Sequence, residues 1–111
     1  MKFLLALHMA PETWDARRLT AGHGRFVDAV IESGELITTG TLAAPAGTVV
    51  IRVRDGRADA TTGPHLAAPE YLACYYLIDC EHRERALEIA ANLPATTVEV
   101  RPVMFQAGLE M

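Results

Sequence analysis

Two short runs of mostly apolar residues, at positions 2–8 and 71–78, constrain the fold more than any other feature of this chain. The first reads KFLLALH and the second reads YLACYYLI. Their large apolar and aromatic residues are typical of β-strands, and both runs are too short to span a bilayer. Because successive side chains of a strand point to opposite faces, each run places apolar residues on both faces of its sheet.

The remaining segments alternate between helix and strand patterns. Thr13 and Asp15 can each cap a first helix that continues to residue 33, where Gly34 predicts a left-handed end. Four residues of this helix, at helical spacing, share one face: Leu19, His23, Phe26 and Val30. Asp79 predicts the cap of a second helix over residues 80–93, and residues 35–42 and 97–101 have the composition of strands.

Residues 48–54 and 57–61 flank an Asp55-Gly56 pair, which strongly favours a β-hairpin. With this hairpin set aside as an insertion, the order of elements is β-α-β-β-α-β. The sequence therefore predicts one α+β domain, residues 1–111, with a ferredoxin-like fold and an inserted β-hairpin. Both helices would cover one face of the sheet, and the opposite face is apolar enough to predict a homodimer packed sheet to sheet.

The overall composition excludes several classes of protein. Half of the residues are hydrophobic and 22% are charged, as in a folded globular domain. The formal net charge is −4 without a basic stripe, so we expect no nucleic-acid partner, and no run predicts a membrane segment. Cys74 and Cys80 would lie about 20 Å apart on one strand and could not bridge. Without a disulfide framework or targeting segment, we expect a cytoplasmic protein.

Four motifs resemble those of the YCII-related family, in particular the branch named for its DGPF motif. They are HGRF at His23–Phe26, IRVRDGR at Ile51–Arg57, YYLID at Tyr75–Asp79 and VEVRPVM at Val98–Met104. The resemblance implies a ferredoxin-like dimer that forms an α/β barrel. Some relatives look like small enzymes that act on ring compounds through a His and Asp pair, and some members occur beside sigma factors.

The loop TTGPHLAAPE, residues 61–70, departs from the pattern of that family, which reads approximately TDGPFAETKE. Gly63, Pro64 and Glu70 match. Thr62 replaces the motif aspartate and His65 replaces a phenylalanine. If the family aspartate orients a histidine, this chain must use another group or has lost that chemistry.

His23 is the candidate catalytic residue. It lies in the apolar helical stripe between Gly22 and Gly24, and two glycines within a helix cost about 1 kcal/mol each relative to alanine. That cost is explained if a ligand must approach the backbone there. The alternative is a buried structural histidine that donates to a backbone carbonyl.

Five further residues are candidate ligand-binding groups: His65, His8, Thr62, Glu99 and Arg101. His65 follows a rigid turn and His8 ends the first strand, but either could simply face water. Glu99 and Arg101 alternate with Val98 and Val100, so they would point toward the dimer barrel, as an anion clamp with a proton-transferring carboxylate or as an ordinary ion pair.

We expect neither a metal nor a cofactor, because the chain has no close pair of His or Cys ligands such as His-x-x-x-His or Cys-x-x-Cys. Two functions remain open. The chain could bind a small, cyclic organic molecule and use His23 for proton transfer. Alternatively, it could be a non-catalytic ligand-binding or dimeric interaction module, linked to transcriptional regulation. We favour a small-molecule-binding protein.

Overall fold

The computed structural model describes residues 1–13, 24, 28–93 and 97–105. These residues form β-strands with helical segments between some of them. The strands are β1 (Lys2–Met9), β2 (Leu36–Thr41), β3 (Val49–Arg54), β4 (Arg57–Thr62), β5 (Tyr71–Asp79) and β6 (Thr97–Pro102). The described part of helix α1 is residues 28–32, and helix α2 is Arg83–Ala91. None of the described helices has the length and apolar character needed to cross a membrane.

Four strands form an antiparallel sheet in the order β2-β5-β1-β6. The two apolar runs of the sequence, β1 and β5, are thus its central strands. With β3 and β4 set aside, this order and the two helical segments are consistent with a ferredoxin-like arrangement. The described chain is an α+β protein, as the sequence predicts.

Of the strands that the structure describes, β3 and β4 pair only with each other, as a two-stranded sheet. Asp55 and Gly56 connect them, and both have positive φ angles, 50° and 76°. A two-residue turn of this kind requires positive φ at both positions, and Asp-Gly is a favoured pair for it. The turn lies where the sequence predicts it.

The core lies between the sheet and the helices. Alternate residues of β1, Phe3, Leu5 and Leu7, are almost completely buried. The same cluster contains three residues of β5 and side chains from both helical segments and the chain after α2: Cys74, Tyr76, Ile78, Val30, Ala86, Ile89 and Leu93. Val98 and Val100 of β6 pack against it. The other alternate residues of these strands therefore lie on the opposite face of the sheet.

Helix α1 ends at Gly34 as predicted. Gly34 has a φ of 78°, and its N–H donates to the carbonyl of Ile31, while the N–H of Glu35 donates to the carbonyl of Val30. This pair of bonds is the Schellman motif, in which a left-handed residue lets the last helical carbonyls find donors. The prediction of the N-terminal part of this helix lies outside the described residues.

The predicted start of the second helix was wrong by three residues. Asp79 does not cap it, because the residue remains in β5 and its Oδ1 atom accepts from the N-terminal ammonium of Met1 at 3.1 Å. His82 caps α2 instead, and its Nδ1 atom accepts from the N–H of Arg85 at 3.2 Å. Pairing within the sheet thus outweighs the local capping preference of the aspartate.

Arg85 also ties α2 to the start of β2. Its Nε and Nη2 atoms donate to the carboxylate of Glu35 at 2.9 and 2.7 Å. The hydrogen bonds from Arg85 lower the pKa of Glu35 below its ordinary value of 4.5, although partial burial opposes them. A bidentate pair of this geometry fixes the direction of both side chains.

Candidate functional site

The face of the four-stranded sheet that points away from the core carries three of the six predicted site residues. We call it the open face and define it by ten residues from the strand register: Thr38, Gly40, Leu4, Ala6, His8, Tyr75, Leu77, Thr97, Glu99 and Arg101. It combines an apolar centre with polar groups on β6. Glu99 and Arg101 thus share a face, as their alternation with valines indicates.

His8 and Glu99 are in contact on this face. His8 lies opposite Thr97, and Glu99 lies opposite Ala6, so the two side chains are diagonal neighbours on adjacent strands. The buried Nε2 atom of His8 is 2.5 Å from Oε1 of Glu99, although the contact lacks the angles of a regular hydrogen bond. The two groups form an ion pair when the imidazole is protonated.

Burial differs between the two partners. The side chain of His8 is 25% exposed, whereas that of Glu99 is 62% exposed. The carboxylate therefore reaches water while one nitrogen of the ring is shielded. A histidine whose ring is held by a carboxylate is a common arrangement for a general acid or base.

A second carboxylate approaches from the loop before β5. The hydroxyl of Thr97 donates to Oε1 of Glu70 at 2.9 Å. Since Thr97 lies opposite His8, this end of the open face holds one imidazole and two carboxylates within neighbouring positions of the ladder. Glu70 is one of the loop residues that match the resembled family.

The middle of the open face is shallow. One row across the sheet consists of Glu99, Ala6, Tyr75 and Gly40, of which two have minimal side chains. The ring of Tyr75 lies over Gly40, so closely that a Cβ atom there would be 2.6 Å from its hydroxyl oxygen.

An apolar hollow of about 370 Å³ adjoins the His8 end of the sheet. Its lining includes Leu42, Ala43, Pro45, Tyr71 and Leu72. Leu72 lies opposite His8 in the ladder. This volume is at the lower end of the range for small-molecule sites, and its lining is mostly apolar, as such sites require.

The loop residues Thr62 and His65 do not join this group. Thr62 ends β4, opposite Val49, and is exposed. His65 is also exposed, and its Nδ1 atom is 3.2 Å from Nη2 of Arg52 on the hairpin. Because a guanidinium only donates, Nδ1 accepts in this contact. Gly63 between them has a φ of 101°, the left-handed angle expected of its turn.

Arg101 lies opposite Leu4 and is exposed. It shares the open face with Glu99 but is not its ion-pair partner, which is His8. His23 lies outside the described residues. Within the described part of the chain, no group of three His, Cys, Asp or Glu side chains is arranged to hold a metal ion.

Sequence reasoning named His8 and Glu99 separately but missed their contact. It also missed Tyr75 and Gly40. The antiparallel pairing of β1 with β6 is itself expected from the order of the elements. In the observed register, opposite residues have numbers that sum to 105, as Leu5 and Val100 do. Only the exact register, which sequence patterns leave open, was lacking.

No curated protein matches this chain at a significant level. The YCII-related domain matches residues 1–105, which is nearly the whole sequence. The chain therefore belongs to the YCII-related family.

Proposed function

We propose that this protein binds a small organic molecule, such as a cyclic compound, on the open face beside the apolar hollow, and that His8 with Glu99 transfers a proton to or from it. The observation that carries the proposal is the contact between Nε2 of His8 and the carboxylate of Glu99. Leu72, which lies opposite His8 in the ladder, lines the apolar hollow, so the imidazole and its carboxylate lie next to a concavity.

The division of roles follows from the ring atoms. Glu99 occupies the Nε2 side of the imidazole, so a proton exchanged with a ligand would pass through Nδ1. Tyr71 and Leu72, which line the hollow, would hold the apolar part of the ligand. His23 stays the second candidate for the proton-transfer residue, on the strength of its place in the HGRF motif.

We further propose that the protein is a homodimer whose open faces pack against each other through their apolar centres, with the ligand site at the His8 end lying at the edge of this contact. The support is the half-buried apolar centre of that face, Leu4, Ala6, Tyr75 and Leu77, on the side of the sheet away from the core. Light scattering should give twice the chain mass of 12.1 kDa. A particle of 12.1 kDa at micromolar concentration would refute this part of the proposal.

The ligand-binding proposal is tested by a thermal-shift screen of cyclic metabolites, since a ligand that binds only the folded state raises the melting temperature. Hits are then titrated against His8→Gln, His23→Gln and Glu99→Gln, with Glu32→Gln as a control for loss of an exposed carboxylate. We expect His8→Gln and Glu99→Gln to lose binding or turnover while stability falls by about 1 kcal/mol or less, because the carboxylate of the pair is 62% exposed. Full retention of binding and turnover in both variants would reject the assignment.

A second candidate function is that of a non-catalytic binding module. It is favoured by the positions of Thr62 and His65, whose contacts lie on the hairpin and its loop rather than beside His8. In that case the same screen would give ligands without turnover, and Glu99→Gln would leave their affinity unchanged.

A further inference from the structure

The hairpin formed by β3 and β4 has one apolar face and one charged face. Val49, Ile51 and Val53 lie opposite Thr62, Ala60 and Ala58 on the first face. The three large side chains are 58%, 59% and 70% exposed. The second face holds the remaining cross-strand pairs: Val50 with Thr61, Arg52 with Asp59 and Arg54 with Arg57.

These two faces are engaged differently within the chain. On the charged face, His65 of the following loop contacts Arg52. The large residues of the apolar face are exposed to solvent, and among the described elements the two strands make extensive contacts only with each other. Since an isolated two-stranded hairpin is marginally stable in water at best, a cover over the apolar face would stabilise it.

We infer that the apolar face of the hairpin packs against the same face of a second copy of the chain. The carrying observation is the unequal size of its two strands. β3 presents a ridge of large β-branched side chains, and β4 presents a trough formed mainly by Ala58 and Ala60. A two-fold axis places the ridge of each copy over the trough of the other, so the surface is complementary to itself.

The distribution of charge agrees with this partner. Arg52, Arg54 and Arg57 all lie on the face that would remain in water, so the contact brings no arginine of one copy against an arginine of the other. A negatively charged partner would instead be expected to bind the arginine face. The apolar face, which lacks ionisable side chains, is suited to an apolar and self-complementary contact.

The area needed for a stable dimer also supports contact between the two hairpins. This inference rests on the homodimer proposed above. Four strands about 20 Å long and about 4.8 Å apart give the open face a footprint of about 400 Å² per copy. The hairpin adds about 200 Å² per copy by the same dimensions. Two copies then bury about 1,200 Å², the lower limit of stable interfaces, which the open face alone does not reach.

Cysteine cross-linking tests the geometry directly. Ile51→Cys and Ala60→Cys chains, mixed and oxidised, should give a covalent dimer on a non-reducing gel. The matched control is a mixture of Arg52→Cys and Asp59→Cys chains, which form a directly opposed pair on the charged face. That mixture should stay monomeric on the gel. Equal yields from the two mixtures would overturn the inference.

A second variant measures the energetic contribution. Ile51→Asp should raise the dissociation constant of the dimer by about 100-fold or more, because each dimer contains the buried charge twice. Arg54→Asp, on the charged face, should change it much less. If Ile51→Asp instead lowers the melting temperature of a particle whose mass is unchanged, the same chain covers the hairpin and the inference fails. A wild-type monomer would refute the homodimer itself, whereas a dimer that tolerates Ile51→Asp would refute only the hairpin contact.

Discussion

Replacement of Gly40 by alanine should disturb the open face through a single contact. The added Cβ atom would lie 2.6 Å from the hydroxyl oxygen of Tyr75 and 2.7 Å from two of its ring carbons. Carbon atoms in proteins prefer separations of about 3.5–4.0 Å, so the ring must move by about 1 Å. Gly40 is an extended strand residue, and its own backbone accepts alanine without strain.

The expected cost follows from two opposing effects. Overpacking of this kind typically destabilises by about 1–3 kcal/mol, and the half-buried Tyr75 can yield, which favours the lower end. Alanine also restricts the conformations of the unfolded chain, which increases the free energy of unfolding by about 0.4–1 kcal/mol. We therefore expect a net loss of about 0.5 kcal/mol and a fall in melting temperature of about 2 °C.

Thermal and urea denaturation of four proteins would check this: wild type, Gly40→Ala, Tyr75→Ala and the double variant. In the Tyr75→Ala background the clash is absent, so Gly40→Ala should cost nothing or stabilise slightly. Gly47→Ala is the matched control, because the nearest atom to its added Cβ, on Ala43, is 3.9 Å away. An equal cost of Gly40→Ala in both backgrounds would show that contact with Tyr75 is not the cause.

Three further predictions concern the core and its edge. Burial raises the pKa of Cys74 to about 11 and also raises that of Cys80. A thiol reagent at pH 8 should therefore label neither cysteine in the native protein and both in guanidinium. Rapid labelling of the native protein would contradict their burial. Because the pKa of Glu35 is lowered in the folded protein, its pairing with Arg85 stabilises fully above pH 4.5 and is lost as the pH falls through the pKa of the folded state. The loss of unfolding free energy caused by Glu35→Gln, measured in urea, should therefore be smaller at pH 3. A loss independent of pH would disprove this linkage. Leu5→Ala, at a completely buried position, should lose about 2–5 kcal/mol of unfolding free energy, and a loss below 1 kcal/mol would be inconsistent with a packed core.

The strands could be predicted because their signals are local. The apolar run of β1 and the Asp55-Gly56 pair can each be recognised in a short stretch of sequence. The cap of α2 could not be predicted in this way. Asp79 has the right local chemistry, but its carboxylate pairs with the ammonium of Met1 and its N–H with the carbonyl of Glu35, and both partners are distant in sequence.

The candidate site illustrates the same limit. His8 and Glu99 were both identifiable as polar residues at the ends or exposed faces of strands, but their contact depends on the register of β1 against β6. A shift of one residue would turn Glu99 toward the core. The hollow near His8 depends in addition on the 42–48 loop, whose approach to Tyr71 and Leu72 leaves no periodic pattern in the sequence.

The central position of β1 has a consequence for synthesis on the ribosome. Leu5 is translated before both of its partners in the sheet, and Tyr76 and Val100 follow 71 and 95 residues later. Contacts between residues so distant in sequence form slowly, and until they form the strand KFLLALHM has an unpaired backbone and an unburied apolar face. The nascent chain is therefore expected to need protection by a holding chaperone until β6 has left the exit tunnel.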